Sequence, residues 1–183
     1  PPEISLSLSP YGSDLLRQVA DIRAHGHEVF LDLPISSAHD GSGQSGPNSL
    51  SDRYPHDVNR DHLFWSLSQF QGYVGVTATI SNHLSQDGSA SAVLADLPGR
   101  GLSVVDLTAA SKLVMLDSDF RPASIDAALK RLEDQSRSQS GMIGVAALTP
   151  LAIDRIRAWS ASLSERGIRL VPVSALTSEI GMK

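Results

Sequence analysis

The sequence predicts an α/β protein in which parallel strands alternate with helices. Short apolar runs such as Val29-Phe30-Leu31 and Tyr73-Val74-Gly75-Val76 read as buried strands. Ile125, Ala128, Leu129 and Leu132 recur at helical spacing, so their segment reads as a helix with one buried face. The two kinds of segment alternate about six times, at spacings that fit parallel βα units. A chain of 183 residues suits one domain with a sizeable core, and residues 1–183 are read as that domain.

Ile4, Leu6 and Leu8 alternate with serines, which predicts a strand with one buried face. Pro10-Tyr11-Gly12 turns the chain, and Leu15, Val19 and Ile22 predict a helix closed by Gly26. Val29 to Leu33 is the next strand, ended by Pro34. Ser36 to Pro55 is rich in Gly, Ser, Asp and Asn with few apolar anchors, and predicts a long surface loop. Leu63, Leu67 and Phe70 mark a second helix ended at Gly72, ahead of the strand at Tyr73–Val76. Val93, Leu94 and Leu97 mark a third helix, stopped near Pro98-Gly99 and Gly101. Leu102, Val104 and Val105 form a strand ending at Asp106, and Leu113 to Leu116 is a further apolar run. Pro122 suits the first position of the helix carrying Ile125 to Leu132. Met142 to Ala147 is a small-residue strand. Ala152, Ile156, Trp159 and Leu163 give the last long helix, with Gly167 beyond it and a closing strand over Ile168 to Val173. The alternation fits a barrel or an open doubly wound sheet equally, and either places ligands at the carboxyl ends of the strands.

Composition narrows the function. The net charge is −5, which disfavours nucleic acid and anionic membrane surfaces as partners. The absence of cysteine excludes disulfides, thiolate metal sites and cysteine nucleophiles. No apolar run approaches the roughly 20 residues that span a bilayer. Pro1-Pro2-Glu3 has neither the basic nor the apolar region of a signal peptide, and the abrupt start is read as a trimmed one.

Motifs are sparse. Gly41-Ser42-Gly43-Gln44-Ser45-Gly46 satisfies G-x-G-x-x-G, but it lies well past a strand and runs into Pro47, so it reads as loop. None of His25, His27, His39, His56, His62 and His83 pairs with another at i, i+4 spacing. His25 and His27 flank a helix-terminating glycine, and His56 and His62 fall at the start of a helix. His83 lies in a loop just after a strand and is the one histidine placed to face a pocket. Asp32 and Asp106 follow buried strand residues, where a charge needs a partner, a cation or water. Asp117 and Asp119 read as turn and helix-start residues ahead of Pro122.

Gly26-His27-Glu28-Val29-Phe30-Leu31-Asp32-Leu33-Pro34, Gly46-Pro47 with Leu50, and Gly72-Tyr73-Val74-Gly75-Val76 resemble the divergent polysaccharide deacetylases. So do Val105-Asp106 and Arg166-Gly167-Ile168-Arg169-Leu170-Val171-Pro172-Val173-Ser174. The resemblance runs in order along nearly the whole chain. It implies a distorted (β/α) barrel of the NodB-like type and a bacterial cell-envelope or periplasmic setting. It also implies metal-assisted hydrolysis of an N-acetyl group, with an Asp-His-His set holding the ion and a carboxylate as base.

The sequence departs from the family pattern where that chemistry resides. The family's first strand, ending in an Asp-Asp pair, is expected to lie upstream of Pro1. Asp32 replaces the histidine of a Leu-His-Leu-Pro motif, and Ser36 stands at a usual glutamate. Thr77-Ala78-Thr79 stands where the family has Asn-Asn-His, and Ala146-Ala147-Leu148 where it has Gly-His-Pro. The stretch Leu107 to Met115 is shorter than its family counterpart. Asp106 is retained and is the candidate catalytic carboxylate; Asp32, Thr77, Thr79 and His83 are the candidate ligand-binding residues. One carboxylate and two threonines make a poor zinc site, so no metal or other cofactor is expected unless upstream residues complete the set.

Three readings follow. The first is a catalytically degenerate domain that binds envelope glycan or a cell-wall protein. The second is an active N-deacetylase with unorthodox ligands. The third is a scaffold or regulator of cell-wall remodelling, with the Ser36–Pro55 loop as its contact surface. The strand-end substitutions favour the first and third over the second.

Overall fold

The computed structural model describes residues 1–36, 45–80, 83–108, 112–119 and 121–176. Four short strands, β1 (Leu6–Leu8), β2 (Val29–Asp32), β3 (Gly75–Ala78) and β4 (Ser103–Asp106), form one parallel sheet in that order. Two more, β5 (Leu113–Met115) and β6 (Ile143–Val145), form a separate parallel pair. The helices between them are α1 (Leu15–Ala24), α2 (His56–Ser68), α3 (Ser89–Leu94), α4 (Pro122–Ser138) and α5 (Pro150–Ser160). The predicted alternation of parallel strands and helices is therefore present.

The apolar patterns explain the packing. Val29, Phe30 and Leu31 are all buried, as expected for a central parallel strand covered on both faces. Gly75 is required where β3 passes β4: a Cβ there would lie 2.5 Å from the Ser103 carbonyl oxygen and 2.9 Å from the Phe30 ring. Leu15 and Val19 of α1, Leu63 of α2 and Val93 and Leu94 of α3 join this first core. On α4, Ile125, Ala128, Leu129 and Leu132 bury one face against Val114 and Leu116. Full burial of each large aliphatic side chain contributes about 1.5–3 kcal/mol. Asp126 on α4 and Arg155 on α5 form a two-pronged ion pair beside this second core.

Three expectations are corrected. Ile168 to Val173 forms no strand; the chain there is irregular and passes into a 3₁₀ turn over Val173–Leu176. Pro172 has no N–H to give a ladder, and the next two amides are taken by side chains, Val173 N–H by Ser5 Oγ (3.0 Å) and Ser174 N–H by Glu28 Oε2 (3.2 Å). The segment after β2 is not all surface: Ser49, Leu50 and Ser51 are buried, and Leu50 bridges Ile35 in parallel. Asn59 explains this, because its amide accepts from Ser51 N–H and donates to the Ser51 and Tyr54 carbonyls. Finally, Phe70 and Leu163 are buried but lie beyond the ends of α2 and α5. Residues 37–44, with His39 and most of the G-x-G-x-x-G run, lie outside the described residues.

Among the described residues no ladder joins β4 to β5 or β6 to β1. A cavity of about 290 Å³, lined by Ile4 and Leu6 on one side and Gly144 and Ala146 on the other, lies between β1 and β6.

Candidate functional site

The carboxyl ends of β1 to β4 open into a cavity of about 470 Å³, within the range of small-molecule sites. Ser9, Tyr11, Asp32, Ile35, Ser45, Thr79 and Leu107 are among the residues that line it. Parallel pairing sets its floor. The ladder matches Asp32 with Thr77, so both side chains rise on one face of the sheet. Thr77 Oγ1 donates to Asp32 Oδ1 at 3.0 Å. Since that proton is committed, the 2.6 Å contact between Ser7 and Thr77 is a donation from Ser7 Oγ. The chain of hydroxyls thus runs from β1 through β3 to the carboxylate on β2.

Burial pushes the Asp32 carboxyl above the usual carboxylate range, and the Thr77 hydrogen bond partly opposes that shift. Among the described residues, no hydrogen bond reaches Asp32 Oδ2. Asp106 is committed differently: its Oδ1 accepts from Ile80 N–H (2.9 Å), Thr108 N–H (2.9 Å) and Thr108 Oγ1 (2.6 Å). It ties the exit of β4 to the exit of β3, as a turn-capping carboxylate does.

The sequence-predicted residues divide accordingly. Asp32 and Thr79 line the cavity, Thr77 supports Asp32 from beneath, and Asp106 lies at the adjoining strand end beside Leu107. His83 is not among the residues lining it; its backbone N–H donates to the Ile80 carbonyl at 3.0 Å. His27 Nδ1 donates to the Ile4 carbonyl (2.8 Å) and His62 Nδ1 to that of Ser49 (2.9 Å), which are structural roles.

Ser7, Ser9 and Tyr11 were not singled out from the sequence. They follow from the rule that ligands gather at strand ends, applied to β1 and its exit. The Tyr11 ring lies against Trp65, with centroids 5.0 Å apart and planes tilted by 35°. Its hydroxyl oxygen accepts from Asn48 N–H at 2.9 Å. Gly46, at φ +90°, permits this approach, because a Cβ there would sit 2.5 Å from the Tyr11 ring.

A structural zinc ion needs three or four converging nitrogen, sulfur or carboxylate ligands. Among the described residues, no three His, Cys, Asp or Glu side chains form such a group. Among the described residues Asp32 has hydroxyls as its polar neighbours, a set that does not fit zinc. The set instead offers one charged acceptor, several hydroxyls and an aromatic face.

The sequence pattern described as divergent polysaccharide deacetylase matches residues 1–177. The chain belongs to this family. Its structure is also similar to the crystal structure of an uncharacterized protein from Agrobacterium tumefaciens C58, with a TM-score of 0.89. The two share 30% sequence identity, over 96% of this chain and 79% of that one. No curated protein is significantly similar to the chain. Both similarities are consistent with the NodB-like fold, and among the described residues no continuous ladder closes the strands into a barrel. No described helix is long and apolar enough to cross a membrane.

Proposed function

We propose that this divergent polysaccharide deacetylase domain binds glycan at the carboxyl ends of β1 to β4 without hydrolysing it, in the bacterial cell envelope. The observation that carries the reading is the Ser7–Thr77–Asp32 chain on the cavity floor. By the family resemblance, Asp32 stands where an imidazole would hold the metal. Here it accepts a threonine hydroxyl instead. Thr77 is no base, so the chain leaves Ser7 an ordinary alcohol and not an activated nucleophile. Asp106, the candidate base, has three donors on Oδ1.

Recognition needs less than catalysis. A carboxylate, the hydroxyls of Ser9 and Thr79 and the part-exposed Tyr11 ring suit a polyhydroxylated ligand, which offers donors, acceptors and apolar ring faces. The deciding experiment combines metal analysis of the purified protein, acetate release from N-acetylated oligosaccharides, and calorimetric titration with the same oligosaccharides and their deacetylated counterparts. The expected result is glycan binding without acetate release. Stoichiometric metal together with acetate release would overturn the reading.

A further inference from the structure

The cavity's charge pattern specifies which glycan it suits. Asp32 is the charged side chain on its wall, and among the described lining residues there is no lysine, arginine or histidine. Asp32 Oδ1 is occupied by Thr77, while no hydrogen bond among the described residues reaches Oδ2. Thr77 and Ser7 direct their protons inward along the chain to Asp32. Ser45 Oγ likewise turns its proton away from a ligand, donating to the Ile35 carbonyl at 2.8 Å. The described wall therefore carries one carboxylate and no cationic side chain, beside the hydroxyls of Ser9, Tyr11 and Thr79. An anionic sugar would meet repulsion there. An N-acetyl group offers that carboxylate only one neutral N–H and must seat its acetyl group beside the charge. A primary ammonium satisfies that carboxylate with a charge-assisted hydrogen bond.

We infer that the cavity is selective for the free-amine form of a hexosamine glycan, with the sugar ammonium on Asp32 and a ring face against Tyr11. This rests on the reading of the cavity as a glycan site and adds the chemical class of the ligand. The net charge of −5 works in the same direction, drawing a polycationic glycan toward the protein. Hydrolysis of an N-acetyl amide by water yields acetate and the free amine. An active N-deacetylase is thus the class of reaction that would supply this ligand.

The test is calorimetric titration of the whole chain with glucosamine and N-acetylglucosamine oligomers of equal length. It is run in mildly acidic buffer, in which the sugar amines carry their protons. The free-amine oligomer is expected to bind roughly tenfold more tightly or better, the order of one charge-assisted hydrogen bond. Asp32→Asn keeps an acceptor for Thr77 but removes the charge, and should bring the two affinities together. Tyr11→Ala should weaken both oligomers alike and preserve their ratio, which keeps the inference testable if Asp32→Asn folds poorly. Equal binding of both oligomers by the unmodified protein overturns this inference and leaves the glycan-site reading standing. Failure of both oligomers to bind overturns both. Equal binding of an oligolysine peptide would overturn the assignment of the ammonium to a sugar.

Discussion

Thr77 Oγ1 donates to Asp32 Oδ1 across the one ladder position where β2 and β3 set these residues side by side. Asp32 is half-buried and Thr77 buried, so the bond is shielded from water. Thr77→Val keeps the side-chain shape and removes the donor. Hydrogen bonds to charged groups contribute about 1.5–3 kcal/mol, so urea unfolding at neutral pH should show a loss of about that size. The Asp32 carboxyl should also titrate higher in the variant, because burial would act without its partial counterweight. Carbon-detected NMR titration of the carboxyl checks the second point independently of the first.

Asp32 itself is held at a cost to the fold. Its carboxyl is raised by burial, so the folded state binds the proton more tightly than the unfolded chain. By linkage, ionised Asp32 disfavours folding at neutral pH, and the penalty fades as pH falls through the raised folded value. Asp32→Asn should therefore unfold at a higher temperature than the unmodified protein at pH 7. The gap should narrow toward acid pH. Paired thermal melts across pH check both the sign and the direction of the trend.

Asn59 on α2 has no exposed surface and holds the segment after β2 in place through Ser51, Tyr54 and the Ser89 hydroxyl. Asn59→Ala leaves the Ser51 N–H unsatisfied, while the Ser51 carbonyl keeps the Tyr54 N–H and the Tyr54 carbonyl keeps the Ser89 hydroxyl. At about 1–3 kcal/mol for one buried group left unsatisfied, chemical unfolding should show a loss of that size. An intact unfolding midpoint would show that water replaces the amide.

At the entrance to α4, Ser124 Oγ (2.7 Å) and the Arg121 guanidinium hold the Asp119 carboxyl down to about 2. A depressed folded value stabilises the fold above the unfolded pKa, near 3.8, and that contribution is lost as pH falls toward 2. Asp119→Asn should flatten the acid limb of the stability profile across that window, lowering stability above it by a small amount, since the group is exposed, and leaving the acid end unchanged. Acid titration followed by far-UV circular dichroism on both proteins checks it.

The parts legible in the sequence are those that local periodicity fixes. Ile125, Ala128, Leu129 and Leu132 declare one face of α4 by spacing alone, and all four are buried there. Asp32 and Asp106 could be flagged because a charge that follows buried strand residues is conspicuous. The Tyr11–Trp65 contact and the register of Ser7, Thr77 and Asp32 depend on which strands become neighbours, which no local pattern encodes. Ser36 to Pro55 misled for a related reason. One apolar residue, Leu50, suffices to bury its neighbours once Asn59 satisfies the backbone around it. Ile168 to Val173 carries strand-like residues, but its proline and two side-chain-bound amides withhold the donors a ladder needs.

That last segment yields a further prediction. Glu28, just ahead of β2, accepts from Ser5 Oγ (3.0 Å), Ser174 N–H (3.2 Å) and Ser174 Oγ. One carboxylate thus joins the stretch before β1 to the 3₁₀ turn at Val173–Leu176, in place of a strand ladder. Side-chain bonds of this kind open locally more readily than a continuous ladder. Glu28→Ala should accelerate amide hydrogen exchange at Val173 and Ser174 by about tenfold or more, the equivalent of roughly 1.4 kcal/mol of local opening energy. Exchange at Val76 and Leu31, in the middle of the four-stranded sheet, should change far less. If both regions accelerate together, the turn opens only with the whole fold, and Glu28 belongs to the core rather than to a local tether.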